Sequence, residues 1–107
     1  MTKAQIADNN VHALSAWRKA CKSMEVSQIQ QYSRLRTCTA WVYVNSDYYF
    51  LMSYNTIVAA VRKSDGLCID ALRFVYGYTA TSAQHISKFF HDFAPYTYYT
   101  NSIRYIA

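Results

Sequence analysis

The residues best suited to chemistry lie in one short stretch, YTATSAQHISKFFHDF, which begins at position 78. Its pattern predicts a helix, on which Lys88 neighbours both His85, three residues before it, and Asp92, four residues after it. His91 lies six residues from His85, so the two imidazoles point in different directions. The stretch therefore lacks the close histidine spacing of a zinc site, and its polar groups do not converge on one point.

His85 is nevertheless the best single candidate for a catalytic group. Acid–base catalysis by His85 would need a second titrating group from elsewhere in the chain, such as His12 or Asp70. A structural role, in which His85 hydrogen-bonds to a backbone group or to a tyrosine beside a sheet, explains the same residue without catalysis. A small enzyme that uses His85 is therefore one hypothesis, and a structural histidine is its alternative.

The common enzyme fingerprints do not occur in this chain. GxxxxGK, GxGxxG, GxSxG and HExxH are missing, and two glycines in 107 residues leave little means of holding a phosphate in a loop. The six acidic residues include no pair spaced for a glycosidase or a two-metal site. Cys21, Cys38 and Cys68 form no CxxC pair, which predicts free thiols buried in the core. We expect no cofactor and no metal site.

Length and composition predict one folded domain over residues 1–107. Hydrophobic residues make up 52% of the chain and charged residues 16%, which favours a packed globule over a disordered chain. No window approaches the roughly 18 apolar residues of a spanning helix, and the N-terminus lacks the apolar segment of a signal peptide. We therefore expect a soluble, cytoplasmic protein with no membrane partner.

Hydrophobic periodicity predicts an α+β fold. The predicted elements are a helix over about residues 3–24, strands over about 37–44, 48–54, 57–63 and 67–75, and a helix over about 80–93. The four strands form an antiparallel meander, and the economical arrangement packs both helices on one face of it. Residues 25–36 fit either a short helix or an irregular crossing, and the tail after Pro95 fits an edge strand or an extended arm. The first helix is expected to bury a stripe of Ala4, Ala7, Val11, Leu14, Trp17, Cys21 and Met24.

Asp65 and Gly66 form the strongest turn signal in the sequence. They fit either a two-residue loop or a three-residue loop with a glycine bulge, and the register of the flanking strands depends on that choice. We favour the bulged form, which puts five apolar residues on one face of the sheet: Ile57, Ala59, Val61, Ile69 and Ala71.

Charge and tyrosine content favour a binding function. Eleven basic and six acidic residues give a net charge of +5, which suits an acidic partner, and 11 tyrosines exceed the need of one small core. Tyrosine and arginine anchor protein interfaces, while the same pair can stack unpaired bases and contact phosphates. The predicted binding surface consists of Arg34, Arg36, Tyr43, Tyr49, Arg62, Lys63, Arg73, Tyr96, Tyr98 and Tyr99.

Residues 50–90 resemble a family of small, uncharacterised phage-encoded domains. The resemblance lies in FLMSYNTIVAAV, which carries a Ser-Tyr-Asn-Thr-x-Val-Ala strand, and in YGYTATSAQHISKFF, which carries a Tyr-x-x-Thr-x-x-x-His helix start. It implies a viral or mobile-element origin and assigns no chemistry. The signature positions that it carries over are Ser53, Tyr54, Asn55, Thr56, Thr81 and His85.

The leading hypothesis is a non-enzymatic phage protein that binds and inhibits a host protein or ribonucleoprotein. A CRISPR effector is one such target, as the resemblance to phage domains suggests an anti-CRISPR protein. A direct single-stranded DNA- or RNA-binding module is the alternative, because nucleic acid also suits a basic surface rich in tyrosine. An exposed edge strand would in addition allow a homodimer.

Overall fold

The structure is a computed structural model that describes residues 1–35, 39–75 and 80–106. Its elements are α1 (Lys3–Val26), β1 (Gln30–Arg34), β2 (Ala40–Val44), β3 (Tyr48–Ser53), β4 (Thr56–Arg62), β5 (Cys68–Asp70), α2 (Leu72–Val75), α3 (Ala80–Phe93) and β6 (Ser102–Arg104). Within these residues the six strands form one sheet in sequential order, antiparallel from β1 to β5 and parallel between β5 and β6. The predicted α+β class is confirmed.

α1 and α3 cover opposite faces of the sheet. Phe50 of β3 packs with Trp17 of α1, whereas the next residue, Leu51, packs with Phe89 of α3. Consecutive side chains of a strand point to opposite faces, so each helix has its own face. The prediction that both helices share one face is wrong, because residues 58–61 of β4 are all buried and need cover on both sides.

The first helix is confirmed, but three of the seven residues of its predicted stripe, Ala4, Ala7 and Val11, are exposed. Val11 is exposed, while Ala13 and Trp17 are buried against the sheet. In the N-terminal half of α1 the inward positions belong to Asn9 and Asn10, whose side chains contact the backbone of the C-terminal segment. Apolar spacing misses these positions because this part of the helix covers polar backbone rather than an apolar sheet surface.

The edges of the sheet differ most from the prediction. The ambiguous segment 25–36 supplies β1, and the predicted strand at 67–75 ends at Asp70. There the Leu72 N–H donates to Asp70 Oδ1 at 3.1 Å, and the chain turns into the short helix α2. The expected edge strand of the tail is present as β6, which pairs parallel to β5.

The loop between β4 and β5 is one residue longer than expected. The Arg62 N–H donates to the Leu67 carbonyl at 2.9 Å, so the loop consists of the four residues 63–66. Gly66 has a φ of +71°, in the left-handed region that favours glycine, and its N–H donates to the Arg62 carbonyl at 2.8 Å.

This extra residue reverses one of the predicted faces. Ala60 is paired with Ile69, and Val61 with Cys68, so Ile69 lies on the α1 face while Val61 lies on the α3 face. The prediction of one shared face is wrong: Ala59 and Val61 pack on the α3 face, whereas Ile57, Ile69 and Ala71 pack on the α1 face. A slip of one residue moves every side chain of a strand to the other face. Ile57 is separated from Ala59 by a bulge, because β3 pairs Leu51 with Ala59 but Met52 with Ile57.

No helix in the described residues combines the length and the apolar character that crossing a membrane requires.

We expect Gly66→Ala to lower the free energy of unfolding by more than about 1–2 kcal/mol, the usual cost of a left-handed backbone for a non-glycine residue. The added methyl carbon would also lie 2.5 Å from Thr97 Oγ1, which donates to the Gly66 carbonyl. Urea unfolding measures the change. Ser64→Ala, at an exposed position of the same loop, is the matched control, and equal stability of the two variants would contradict the account.

Candidate functional site

A cleft of about 570 Å³ opens between α3, the end of β5 and the C-terminal segment, and we call it the tail cleft. Its apolar lining comes from Leu72, Ala83, Ile86, Phe90, Ile103 and Ile106. Its polar and aromatic lining comes from Asn9, Asp70, Arg73, Ser87, Tyr98, Tyr99, Ser102, Arg104 and Tyr105. The volume falls in the range of clefts that bind small ligands.

Parallel pairing of β5 and β6 brings an acid and a base together in this cleft. Asp70 is the pairing partner of Arg104. Cys68, two residues before Asp70, packs in the core cluster of α3, so Asp70 and Arg104 also point to the α3 face of the sheet. Arg73, three residues after Asp70 in α2, also lines the cleft, so a cation flanks Asp70 on each of two elements.

α1 holds the C-terminal segment in place. Asn9 Nδ2 donates to the Arg104 carbonyl at 2.8 Å. Asn10 binds Ile106 twice, because its Nδ2 donates to the Ile106 carbonyl at 2.9 Å and its Oδ1 accepts from the Ile106 N–H at 2.8 Å. Two asparagine side chains therefore act as a latch, which we call the asparagine latch, and they fix the wall of the tail cleft.

The carboxylate of Asp70 is partly withdrawn from water. Burial raises the pKa of Asp70 above its ordinary value, against the opposing effects of the Leu72 N–H and of the charges of Arg104 and Arg73. The Leu72 N–H is its hydrogen-bond donor within the described residues, and it binds Oδ1. Asp70 Oδ2 has no such donor there, which leaves an ionisable acceptor open to a ligand in the cleft.

Tyrosines form the rim of the cleft. The ring of Tyr98 lies 5.7 Å from Phe90, 5.1 Å from His91 and 4.7 Å from Tyr99, as measured between ring centroids. Tyr98 is half-buried, whereas Tyr99 is 80% exposed and presents its ring to solvent. Tyr105 packs on Phe74 at 5.2 Å on another side of the cleft. The rim thus presents aromatic rings to a ligand in a cleft that Arg73 and Arg104 also line.

The structure brings three residues of the predicted binding surface into this cleft: Arg73, Tyr98 and Tyr99. Tyr96 is 95% exposed in the turn that follows α3, outside the lining of the cleft. Arg36 lies outside the described residues.

The other predicted surface residues are distributed over the sheet. The Arg34 guanidinium lies 5.4 Å from the Trp41 ring centroid, and the Lys63 ammonium lies 5.0 Å from that of Tyr49. Tyr49 belongs to the α3 face, whereas Tyr43 is half-buried on the α1 face, so the two tyrosines do not share a surface.

Arg62 is held within its own loop rather than directed toward a partner. Its Nη2 binds Asp65 Oδ2 at 2.7 Å and its Nε donates to Asp65 Oδ1 at 2.9 Å. The hydrogen bond from Arg62 lowers the pKa of Asp65 to about 2. This ion pair braces the same turn as Gly66.

Three residues of the tail cleft escaped the sequence analysis as binding residues: Asp70, Arg104 and Tyr105. Asp70 appeared there only as a partner for His85. Their juxtaposition depends on the parallel pairing of β5 with β6, and a pairing between distant segments leaves no local pattern in the sequence. The available signal was the tyrosine-rich tail, which marked the segment but not its neighbour.

His85 is buried beside the core. It is 7% exposed, and its Nδ1 shares a hydrogen bond of 2.9 Å with Ser53 Oγ, which in turn lies 3.0 Å from Ser82 Oγ. Ser53 is fully buried, so its hydroxyl is closed to a substrate. The bond joins α3 to the end of β3, next to the turn where Tyr54 has a φ of +56°.

The cysteines behave as small core residues where they are described. Cys68 is buried, and burial raises its pKa to about 11, while burial also raises the pKa of the partly buried Cys21. Both are free thiols, as predicted, and Cys38 lies outside the described residues. Within those residues, no three His, Cys, Asp or Glu side chains are grouped as metal ligands would be.

The chain belongs to a protein family of unknown function (DUF8033), which it matches over residues 22–103. The match extends well beyond the segment that carries the resemblance noted above, and it includes β1 to β5, α2 and α3. It therefore contains Asp70, Tyr98 and Tyr99 of the tail cleft, but most of α1, Arg104 and Tyr105 lie outside it. Comparison with curated proteins and with solved structures found no match.

We expect protonation of His85 to destabilise the fold. Burial lowers the pKa of His85 below its ordinary 6.5, so the unfolded chain binds a proton more readily than the folded chain. The free energy of unfolding should then fall as the pH drops below 6.5 toward the folded-state pKa. Urea titrations above and below this window measure the change.

The matched variants for this test are His85→Gln and His12→Gln. His12 is exposed on α1, so its replacement should leave the pH dependence in place, whereas His85→Gln should remove much of it. A pH dependence that survives in His85→Gln would contradict the structural role.

We expect Asn10→Ala to loosen the wall of the tail cleft. The variant loses two hydrogen bonds to Ile106, which should lower the free energy of unfolding by about 1–3 kcal/mol. Amide exchange at residues 102–106 should also become faster. Ser15→Ala, at an exposed position of the same helix, is the control, and unchanged exchange in Asn10→Ala would show that the latch does not hold the segment.

Proposed function

We propose that this chain is a non-enzymatic binding protein whose target is a host ribonucleoprotein, and that its tail cleft holds unpaired RNA of that target. The observation that carries the proposal is the meeting of Arg73 and Arg104 with exposed tyrosine rings at one concave site. A second support is the net charge of +5, which attracts a polyanion.

Each group of the tail cleft matches one part of a nucleic-acid strand. Tyr99 offers a solvent-exposed ring on which an unpaired base can stack, and base–aromatic stacking contributes about 1–3 kcal/mol per base. Arg104 is exposed beside it and can neutralise a phosphate. A duplex keeps its bases stacked on each other, so the cleft suits a single strand better.

Catalysis has no part in this proposal. The arrangement most like a nucleophile and base in the described residues is that of Ser53 and His85, and both side chains are buried. A phage origin and a CRISPR effector as the target come from the sequence resemblance alone, and both stay predictions.

Contact with a protein component of the target is a second candidate. Tyr96 and Tyr32 are exposed outside the tail cleft, and Tyr32 lies on the edge strand β1 with its ring 5.9 Å from Phe93. Exposed tyrosines of this kind are frequent anchors of protein interfaces.

The proposal predicts that single-stranded RNA binds through the tail cleft. Fluorescence anisotropy with a labelled strand of roughly 10 nucleotides should show binding that weakens steeply with salt. Tyr99→Ala and Arg104→Ala should each lower the affinity about tenfold, since each removes one stacking or phosphate contact. Tyr96→Ala, in the same turn as Tyr99 but outside the cleft, is the matched control. Absence of binding at low salt would overturn the proposal.

A pulldown from host lysate separates the two candidates. If RNA is the point of contact, nuclease treatment should release the captured partners, and Tyr99→Ala should capture fewer of them. Capture that resists nuclease and depends on Tyr96 or Tyr32 would favour the protein component instead.

A further inference from the structure

We propose that the tail cleft selects a guanine nucleotide of the bound strand, with the edge of the base on Asp70 and its phosphate on Arg104. This inference rests on the proposed function, and it names the chemistry that the cleft recognises.

The hydrogen bonds of Asp70 point to a ligand that donates hydrogen bonds to its carboxylate. An ionised carboxylate accepts hydrogen bonds and donates none. Oδ1 already accepts from the Leu72 N–H, and within the described residues no N–H or O–H group binds Oδ2. No buried side-chain oxygen of the described residues lacks a partner, so Oδ2 reaches the solvent of the cleft, where a ligand that supplies N–H groups can bind it in exchange for water.

Guanine is the base that fits this acceptor best. Its Watson–Crick edge carries two adjacent donors, the ring N1–H and the exocyclic amine, which a carboxylate can accept together. Adenine and cytosine offer one amine beside a ring nitrogen acceptor, and uracil offers one ring N–H between two carbonyl oxygens. Each of these three bases places an acceptor next to Asp70, which weakens the contact by repulsion.

A peptide could also donate hydrogen bonds to Asp70, through a lysine or arginine side chain. The positive charges around Asp70 disfavour such a ligand. Arg104 is the pairing neighbour of Asp70 in the sheet, and Arg73 lines the same cleft. Two guanidinium groups repel a lysine or arginine that approaches the carboxylate. They favour a ligand whose hydrogen-bond donors are uncharged and which carries a negative charge close by. A nucleotide has both, in its base and its phosphate.

The depth of the site strengthens the contact. Asp70 lies beside apolar lining from Leu72, Ile86 and Phe90, and its partial withdrawal from water makes a hydrogen bond to it stronger than one on the open surface. Leu72, Ile86 and Phe90 are buried in the core and offer the base little surface, so stacking falls to Tyr99 at the rim, which can take a neighbouring base.

The test uses three labelled RNA strands that differ at one position. A homouridine strand is compared with the same strand carrying one central guanosine, and with one carrying inosine, which lacks only the exocyclic amine. We expect the guanosine strand to bind about tenfold more tightly than the uridine strand, with the inosine strand between them.

Asp70→Asn is the matched variant, since it keeps the size of the side chain and an acceptor for the Leu72 N–H. It should bind the guanosine and uridine strands with equal affinity, because the substitution removes the carboxylate that accepts from the two donors of guanine. A purely structural role of Asp70 would instead weaken both strands together. The raised pKa of Asp70 means that its ionised form costs stability above that pKa, so the variant should melt no lower than the parent protein at neutral pH.

The outcomes separate this inference from the proposed function. Equal affinity of the parent protein for the three strands, with binding still dependent on Tyr99 and Arg104, overturns guanine selection and leaves the proposed function standing. Absence of binding to all three strands at low salt overturns both. Discrimination that persists in Asp70→Asn would show that another group reads the base, and would also overturn the inference.

Discussion

Burial of the central strands on both faces is the constraint on which the rest of the structure depends. Residues 58–61 of β4 are all buried, so a single helical layer cannot cover the sheet. α1 covers one face and α3 the other, and the chain must then return from α3 to the sheet. It does so at the edge next to β5, and the space between α3 and this returning segment is the tail cleft.

Local sequence patterns were sufficient for most of the elements, but they left β1 undecided and missed α2. α1, α3 and the strands β2 to β4 follow from periodicity and from β-branched and aromatic runs, because these signals depend on neighbouring residues. The faces were harder to predict. One additional residue in the loop before Leu67 decides whether Ile69 faces α1 or α3, and no composition rule measures loop length so finely.

In the candidate site, too, local sequence identified some residues, while the pairing of distant segments decided the others. Residue type alone was enough to nominate Arg73, Tyr98 and Tyr99, since exposed arginine and tyrosine are suited to binding wherever they lie. Asp70 and Arg104 become a pair only through β5 and β6, which are distant in sequence. For His85, the sequence left open both catalysis and a structural hydrogen bond, because its partner Ser53 lies 32 residues away on β3.

The hydrogen bond between His85 and Ser53 gives a physical explanation for part of the motif in residues 50–90. Tyr54 adopts a left-handed backbone that costs a non-glycine residue roughly 1–2 kcal/mol. The Tyr54 ring lies 6.1 Å from that of His85, and His85 binds Ser53 directly before the turn. The motif residues Ser53, Tyr54 and His85 thus hold a strained turn against α3.

The asparagine latch makes the tail cleft depend on the folding of nearly the whole chain. Asn10 and Ile106 are 96 residues apart, so their contact closes a very long loop and gains no help from local structure. A contact of this kind is expected to form late in folding and to open early in local unfolding. A molecule whose latch is open lacks one wall of the cleft, so the apparent affinity for a ligand falls in proportion to the closed fraction. Conversely, a bound ligand would close the latch by mass action and join the first turns of the protein to its C-terminal segment.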